Sequence, residues 1–293
     1  MTDSFISLMV IALIAALTPI IAEIIPKQAV PETVILIAAG AILGHNAFNI
    51  IKGDSEAIIF LSDLGCAFLF LLAGFEIDPK ALTGKDGKKG FITWIFTFAI
   101  GIAAAFILPD IAVGRQGHIA TALLFTTTAL GALMPILKER ALTGTRVGDL
   151  VIAYGTWGEL ATVLAMAILL STRTTWKTAL ILALMLLICI WIGALGSKAV
   201  KGGTAVYRFL TRKANTTSQT IIRITILILI SLVAFSSVFN LDIVLGAFAA
   251  GFVLRYIAPD DNYILEDKLN GMAYGFFVPI FFVVSGAGIN LKA

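Results

Sequence analysis

The chain has 293 residues, of which 59% are hydrophobic and 13% charged, with a mean hydropathy of +1.00. A soluble domain carries roughly 25% charged residues, so this composition excludes a water-soluble globule and implies a polytopic membrane protein, all-α because helices are the default way to cross lipid. A net charge of +3 is no nucleic-acid signal, and the two cysteines, Cys66 and Cys189, sit in apolar stretches with no metal or redox spacing.

About ten transmembrane helices are predicted. The first, Phe5–Ile25, reads as a spanning helix rather than a signal peptide: Met1-Thr2-Asp3-Ser4 carries no Lys or Arg, and no small-residue cleavage site follows. Next come Thr33–Ile51, Ala57–Phe75 and Phe91–Leu108. The fifth, Ile119–Leu137, contains Thr126-Thr127-Thr128, then Gly131 and Pro135. Pro135 removes a helical hydrogen bond and Gly131 loosens the backbone, just downstream of three hydroxyls. A broken helix, with freed carbonyls aimed at an ion, needs these features. The sixth span is Val147–Leu170 and the seventh, Trp176–Gly196, reads as a linking helix. Ile221–Phe239, the short Ile243–Ile257 and Met272–Ile289 complete the set.

Two stretches recur. Ala38-Ala39-Gly40-Ala41-Ile42-Leu43 returns as Ala249-Ala250-Gly251-Phe252-Val253-Leu254, and Gly74-x-x-Ile77-Asp78-x-Lys80-Ala81 returns as Gly286-x-x-Ile289-Asn290-x-Lys292-Ala293. The offsets are 211 and 212 residues. Internal duplication is a mark of secondary transporters. The copies lie seven spans apart, an odd number, so they cross the membrane in opposite directions. The expected architecture is one membrane transport domain over residues 1–293. In it, a first repeat of about 5–170 and a linking helix of about 176–196 precede an incomplete inverted repeat of about 221–293.

Loop charge gives the orientation. Sixteen of the 21 Lys and Arg residues fall on the odd-numbered connections, counting with them Arg223 at the start of the eighth span and Arg255 near the end of the ninth. The positive-inside rule places those connections in the cytoplasm and the N-terminus outside. Lys80 to Lys89 and Lys198 to Lys213 are the strongest anchors. His45 and His118, at span ends, read as interfacial.

Glu159 stands apart from the other acids. It lies 12 residues from Val147 and 11 from Leu170, which at about 1.5 Å per residue is near the bilayer centre. A carboxylate there is costly and is a functional-site hypothesis by default. Burial disfavours the charged form of a carboxylate, so one placed there can hold a proton at one moment and a hard cation at the next. Competition for one such group couples the two fluxes. Before it, Tyr154-Gly155-Thr156-Trp157-Gly158 offers two glycines for close helix approach, with Thr156 within reach of a site.

These motifs resemble the cation/proton antiporter superfamily, in particular the branch of sodium/proton exchangers and glutathione-gated potassium efflux systems. The resemblance is carried by Val34–Gly44 (VILIAAGAILG), Leu61–Asp78 (LSDLGCAFLFLLAGFEID), Leu245–Leu254 (LGAFAAGFVL) and Val278–Leu291 (VPIFFVVSGAGINL). It implies a Ser/Thr pair on the broken helix, which falls on Thr127 and Thr128, and an ion-binding acid on the next helix, which falls on Glu159. Two departures stand out. Glu159 occupies the place of an Asp, and Gly158 occupies the place of a second acid or amide. One acid rather than two implies electroneutral exchange. Family members have about thirteen helices, so the chain reads as lacking the last three, including the second broken helix.

The expected function is therefore exchange of a monovalent cation, sodium or potassium, for protons. The candidate cation/proton-binding residues are Glu159, Thr127, Thr128, Thr126 and Thr156, with Gly131 and Pro135 breaking the helix. No cofactor is expected beyond the transported ion and proton. The expected partners are the lipid bilayer, the monovalent cation and, by the resemblance, a second copy in a homodimer, with no nucleic acid. The expected location is a bacterial or archaeal cell membrane. A non-transporting or split membrane subunit, needing a partner for the missing helices, is the alternative. An enzyme is not expected: the chain has neither H-E-x-x-H nor G-x-S-x-G, and Asp63 is the single candidate for a paired-aspartate protease.

Overall fold

The computed structural model describes residues 2–25, 30–44, 46–51, 55–77, 82, 84–107, 114–128, 133, 137, 142, 144–169, 183–185, 187–189, 191, 220–239, 241–257 and 263–289. Its helices are α1 (Thr2–Ile24), α2 (Glu32–Leu43), α3 (Glu56–Glu76), α4 (Gly84–Ile107), α5 (Gly114–Thr126), α6 (Arg146–Leu169), α7 (Thr220–Val238), α8 (Ile243–Ile257), α9 (Tyr263–Met272) and α10 (Val278–Ala287), with a π-helical turn at Ala273–Phe277 between the last two. No strand occurs among the described residues.

Six helical stretches there are long and apolar enough to cross a membrane: Asp3–Ile24, Glu56–Glu76, Gly84–Ile107, Arg146–Leu169, Thr220–Val238 and Leu265–Ala287. Two shorter apolar helices, Glu32–Leu43 and Ile243–Arg255, accompany them. The protein is an all-α, polytopic integral membrane protein. Its outward faces suit lipid rather than water. α1 exposes Phe5, Met9, Leu13, Leu17, Ile20 and Ile24, the reverse of a soluble helix. The predicted seventh span falls mostly outside the described residues.

Two compact units divide the chain, residues 1–69 with 261–293, and residues 70–260. In the first, Ile11, Leu36, Ile51, Ile58, Ile280 and Val283 form a buried core. α2 crosses α10 with almost no side chain between them. A Cβ on Gly40 would land on the Val283 carbonyl oxygen, and one on Gly286 would land on that of Ile37. Both C-terminal ends lie on one side of the crossing: Gly44 meets Ala287, and Asn46 Nδ2 donates to the Ile289 carbonyl at 3.1 Å. The two helices therefore run in the same sense, as two even-numbered spans should.

The second unit contains the same crossing again. A Cβ on Gly251 of α8 would land on the Leu71 carbonyl oxygen of α3, and one on Gly74 would land on that of Phe248. Adding 211 to residues 37 and 40 gives 248 and 251, and adding 212 to 71 and 74 gives 283 and 286. The four repeated glycines thus make two equivalent contacts. Each pairs the first element of one copy with the second element of the other. Small residues are what such backbone approach requires in lipid, where packing replaces the hydrophobic drive between helices.

α2 is shorter than the sequence predicts. It stops at Leu43 rather than continuing to Ile51, because the chain turns at Gly44 and folds back over its own end. The Leu43 carbonyl accepts from the backbone N–H of Ile50 (3.0 Å) and Ile51 (2.9 Å), and that of Ile42 from Phe48 (3.2 Å). Asn49 takes a left-handed φ of 53° in that return. Ile51 ends fully buried in the core. A helix end inside lipid must have its carbonyls satisfied, and here the returning loop does it. α9 is a second difference. Its Glu266, Asp267 and Lys268 read as a loop, yet they lie on a helix that continues into the tenth span.

Candidate functional site

The site is assembled within residues 70–260, around α4, α5 and α6. α5 has 13 residues, about 20 Å of helix, against a hydrocarbon thickness of about 30 Å. It ends at Thr126, and Thr127 and Thr128 leave it as non-helical backbone. The Thr127 amide still donates to the Leu123 carbonyl at 3.1 Å. α5 thus ends ahead of Gly131 and Pro135, the residues expected to break the fifth span, which lie outside the described residues. The last carbonyls of a helix lack intrahelical donors and form the negative end of its dipole. The C-terminal end of α5 is therefore suited to a cation.

α6 presents a face of small residues. Gly148, Ala153, Gly155, Thr156, Gly158, Ala161 and Thr162 are all buried along it. At Gly158 the α5 terminus passes directly over the helix. A Cβ there would strike Thr128 Oγ1, and would lie 3.0 Å from Thr128 Cβ and 3.3 Å from the Thr126 carbonyl oxygen. Glu159 is the next residue. Its side chain is half-buried, with Oε2 closed off from solvent. The fold thus brings Thr126 and Thr128 to the segment that carries Glu159. Thr127 is exposed, and Thr156 is fully buried with its hydroxyl donated to the Ile152 carbonyl at 2.7 Å. A carboxylate, hydroxyls and a main-chain carbonyl are hard oxygen ligands, the class that suits alkali cations rather than soft metals.

α4, which packs against both α5 and α6, supports this arrangement. Trp94 Nε1 donates to Thr162 Oγ1 at 3.0 Å, and Thr162 Oγ1 lies 3.3 Å from Thr126 Oγ1. Sequence reasoning missed both residues. The available signal for Thr162 was its position three residues after Glu159, on the same helical face. Trp157 packs its ring against Phe91, with centroids 4.7 Å apart, and against Gly90. This is the packing role its flanking glycines suggested. At one end of the same helix pair, Arg146 makes a two-pronged contact with Asp86 at 2.6 and 3.0 Å. The third and fifth connections therefore meet at this end of the helix pair. On another face of α6 an apolar cavity of about 450 Å³ opens among Leu160, Leu164 and Ile168 of α6, Leu245 and Phe248 of α8, and Met185.

Residues 9–293 match the family described as sodium/hydrogen exchanger, transmembrane. The chain belongs to that family. Among exchanger-family relatives, YjbQ of Bacillus subtilis, which carries a provisional Na(+)/H(+) antiporter name, is 28% identical over 97% of this chain and 47% of its own length. Cation/H(+) antiporter 18 of Arabidopsis thaliana is 26% identical over 96% of this chain and 36% of its own length. Na(+)/H(+)-K(+) antiporter GerN of Bacillus cereus is 22% identical over 96% of this chain and 71% of its own length. The chain thus spans about half of YjbQ and about a third of antiporter 18. The family is one of transporters, not enzymes.

Gly158 now has a physical explanation in this member of the exchanger family. Where the resemblance leads one to expect a second acid or amide, Thr128 crowds the position, and its hydroxyl must turn aside before a Cβ can enter. Gly158→Asp is expected to destabilise the protein by about 1–3 kcal/mol through overpacking, read as a lowered melting temperature of the purified protein. A melting temperature equal to wild type would show that the α5 terminus can move aside.

Proposed function

We propose that this chain exchanges a monovalent cation for protons, with Glu159 as the carboxylate that holds one or the other. The observation that carries the reading is the seating of the α5 terminus on Gly158. Hydroxyl and carbonyl oxygens at the end of α5 stand there against the residue that precedes the half-buried Glu159. In the loaded state Glu159 ionises and offers its charge to the cation. Thr128 Oγ1 and the Thr126 carbonyl supply neutral oxygens, and the negative end of α5 adds its field. In the alternative state a proton neutralises Glu159 and the cation leaves. One carboxylate that is never both empty and charged while crossing suffices for coupling, and a single acid exchanges one proton for one monovalent cation.

The names of the relatives support this class of activity, and GerN's name includes both sodium and potassium. The reading carries with it a single membrane transport domain, an N-terminus outside a prokaryotic cell membrane, and a homodimer. The test is exchange by membranes that contain this chain. With a proton gradient imposed on everted vesicles, added NaCl or KCl should collapse the gradient in proportion to the amount of chain present. No collapse with either salt would overturn the proposal. Recovery of collapse only after adding a second polypeptide would favour the split-subunit reading.

A further inference from the structure

The strongest feature not absorbed by the exchange reading is the polar chain across α4, α6 and α5. Trp94 is half-buried, while Thr162 and Thr126 are buried among apolar residues. The direction of the hydrogen bonds is fixed at both ends. An indole N–H can only donate and a carbonyl oxygen can only accept. Trp94 Nε1 donates to Thr162 Oγ1 at 3.0 Å, and Thr126 Oγ1 donates to the Leu123 carbonyl at 2.9 Å. The proton of Thr162 is then left for Thr126 Oγ1, 3.3 Å away. Each hydroxyl donates once, in one direction, from α4 to the end of α5.

From this arrangement we infer that Trp94 and Thr162 are positioning residues that set the cation affinity of the site by fixing the α5 terminus. The inference rests on the exchange reading above. Thr126 is the last helical residue, and its carbonyl oxygen faces Gly158 beside Glu159. Holding its hydroxyl holds the residue. It also commits the Thr126 proton to Leu123, so that Thr126 cannot turn a donor toward a cation. Breaking the chain at Thr162 leaves Thr126 Oγ1 without its buried donor and frees the terminus to rotate. Neither Trp94 nor Thr162 touches the ion, so the effect falls on binding rather than on the maximal rate.

The test uses Thr162→Val, which keeps shape and removes the hydroxyl, Thr162→Ser, which restores it, and Trp94→Phe. Loss of one hydrogen bond should raise the half-saturating cation concentration in Thr162→Val and Trp94→Phe by about 2–10-fold. The maximal exchange rate should stay within about twofold, and Thr162→Ser should behave as wild type. Unchanged half-saturation in Thr162→Val, or equal impairment in Thr162→Ser, overturns the inference. A second readout does not need transport. Hydrogen exchange of the Thr127 amide, bonded to the Leu123 carbonyl, should quicken in Thr162→Val and not in Thr162→Ser. If even the wild type exchanges no ion, the function proposal falls, and this amide alone decides the positioning role: an unchanged rate in Thr162→Val rejects it.

Discussion

Glu159→Gln abolishes cation-dependent proton movement while the protein accumulates in the membrane at its normal level. Gln keeps the volume and the polar contacts of Glu but can neither ionise nor carry a titrating proton. The half-buried position of Glu159 on a helix of small buried neighbours tolerates a neutral group well. Removing a charge from the membrane interior relieves desolvation cost rather than adding to it. Stability and function should therefore separate. Exchange is measured as gradient collapse in everted vesicles, and abundance by immunoblot of the same membranes. Residual exchange above about a tenth of wild type would mean another group carries the proton.

Gly251→Val should have the opposite signature, with loss of the protein itself. A Cβ at Gly251 would land on the Leu71 carbonyl oxygen, 2.9 Å from Leu71 carbonyl carbon and 2.7 Å from Phe75 N. All three are backbone atoms of α3, so no rotamer change makes room. The helices must separate, and the whole crossing is lost. A destabilisation above about 4 kcal/mol, the range tied to gross core disruption, is expected. The repeat supplies a second test: Gly40→Val, at the equivalent position in the other crossing, should fail likewise. Gly275→Ala is the control, because nothing lies within 4 Å of its added Cβ. Membrane abundance and detergent melting temperature read all three. Normal abundance of Gly251→Val would contradict the crossing.

These glycines also mark how far the sequence can be read. The repeat placed Gly40 with Gly251 and Gly74 with Gly286 by offset alone, but it could not say that the pairs contact across copies. Contact depends on helix rotation, which a hydropathy pattern does not record. Glu159 could be singled out because depth is estimated by counting residues along a helix, and Thr126–Thr128 because these hydroxyls precede Gly131 and Pro135. The end of α2 was not legible. Ala47, Phe48, Ile50 and Ile51 continue the apolar run beyond Gly44, and an apolar loop folded back on a helix end has the composition of a helix. α9 was missed in the other direction, since Glu266, Asp267 and Lys268 precede the apolar run from which the tenth span was drawn. The Trp94–Thr162–Thr126 chain was invisible for a third reason. It joins three helices through side-chain tips, and no spacing within one helix encodes that.

The most direct measurement of the central claim, that proton and cation compete for one carboxylate, is the half-saturating cation concentration as a function of pH. Competition for a single group raises it by about tenfold for each pH unit below the carboxyl's midpoint, with an unchanged maximal rate and a plateau above that midpoint. The expected result is that slope of one in wild type. A half-saturating concentration that does not move with pH, while exchange persists, would contradict the claim that Glu159 binds both ions in turn.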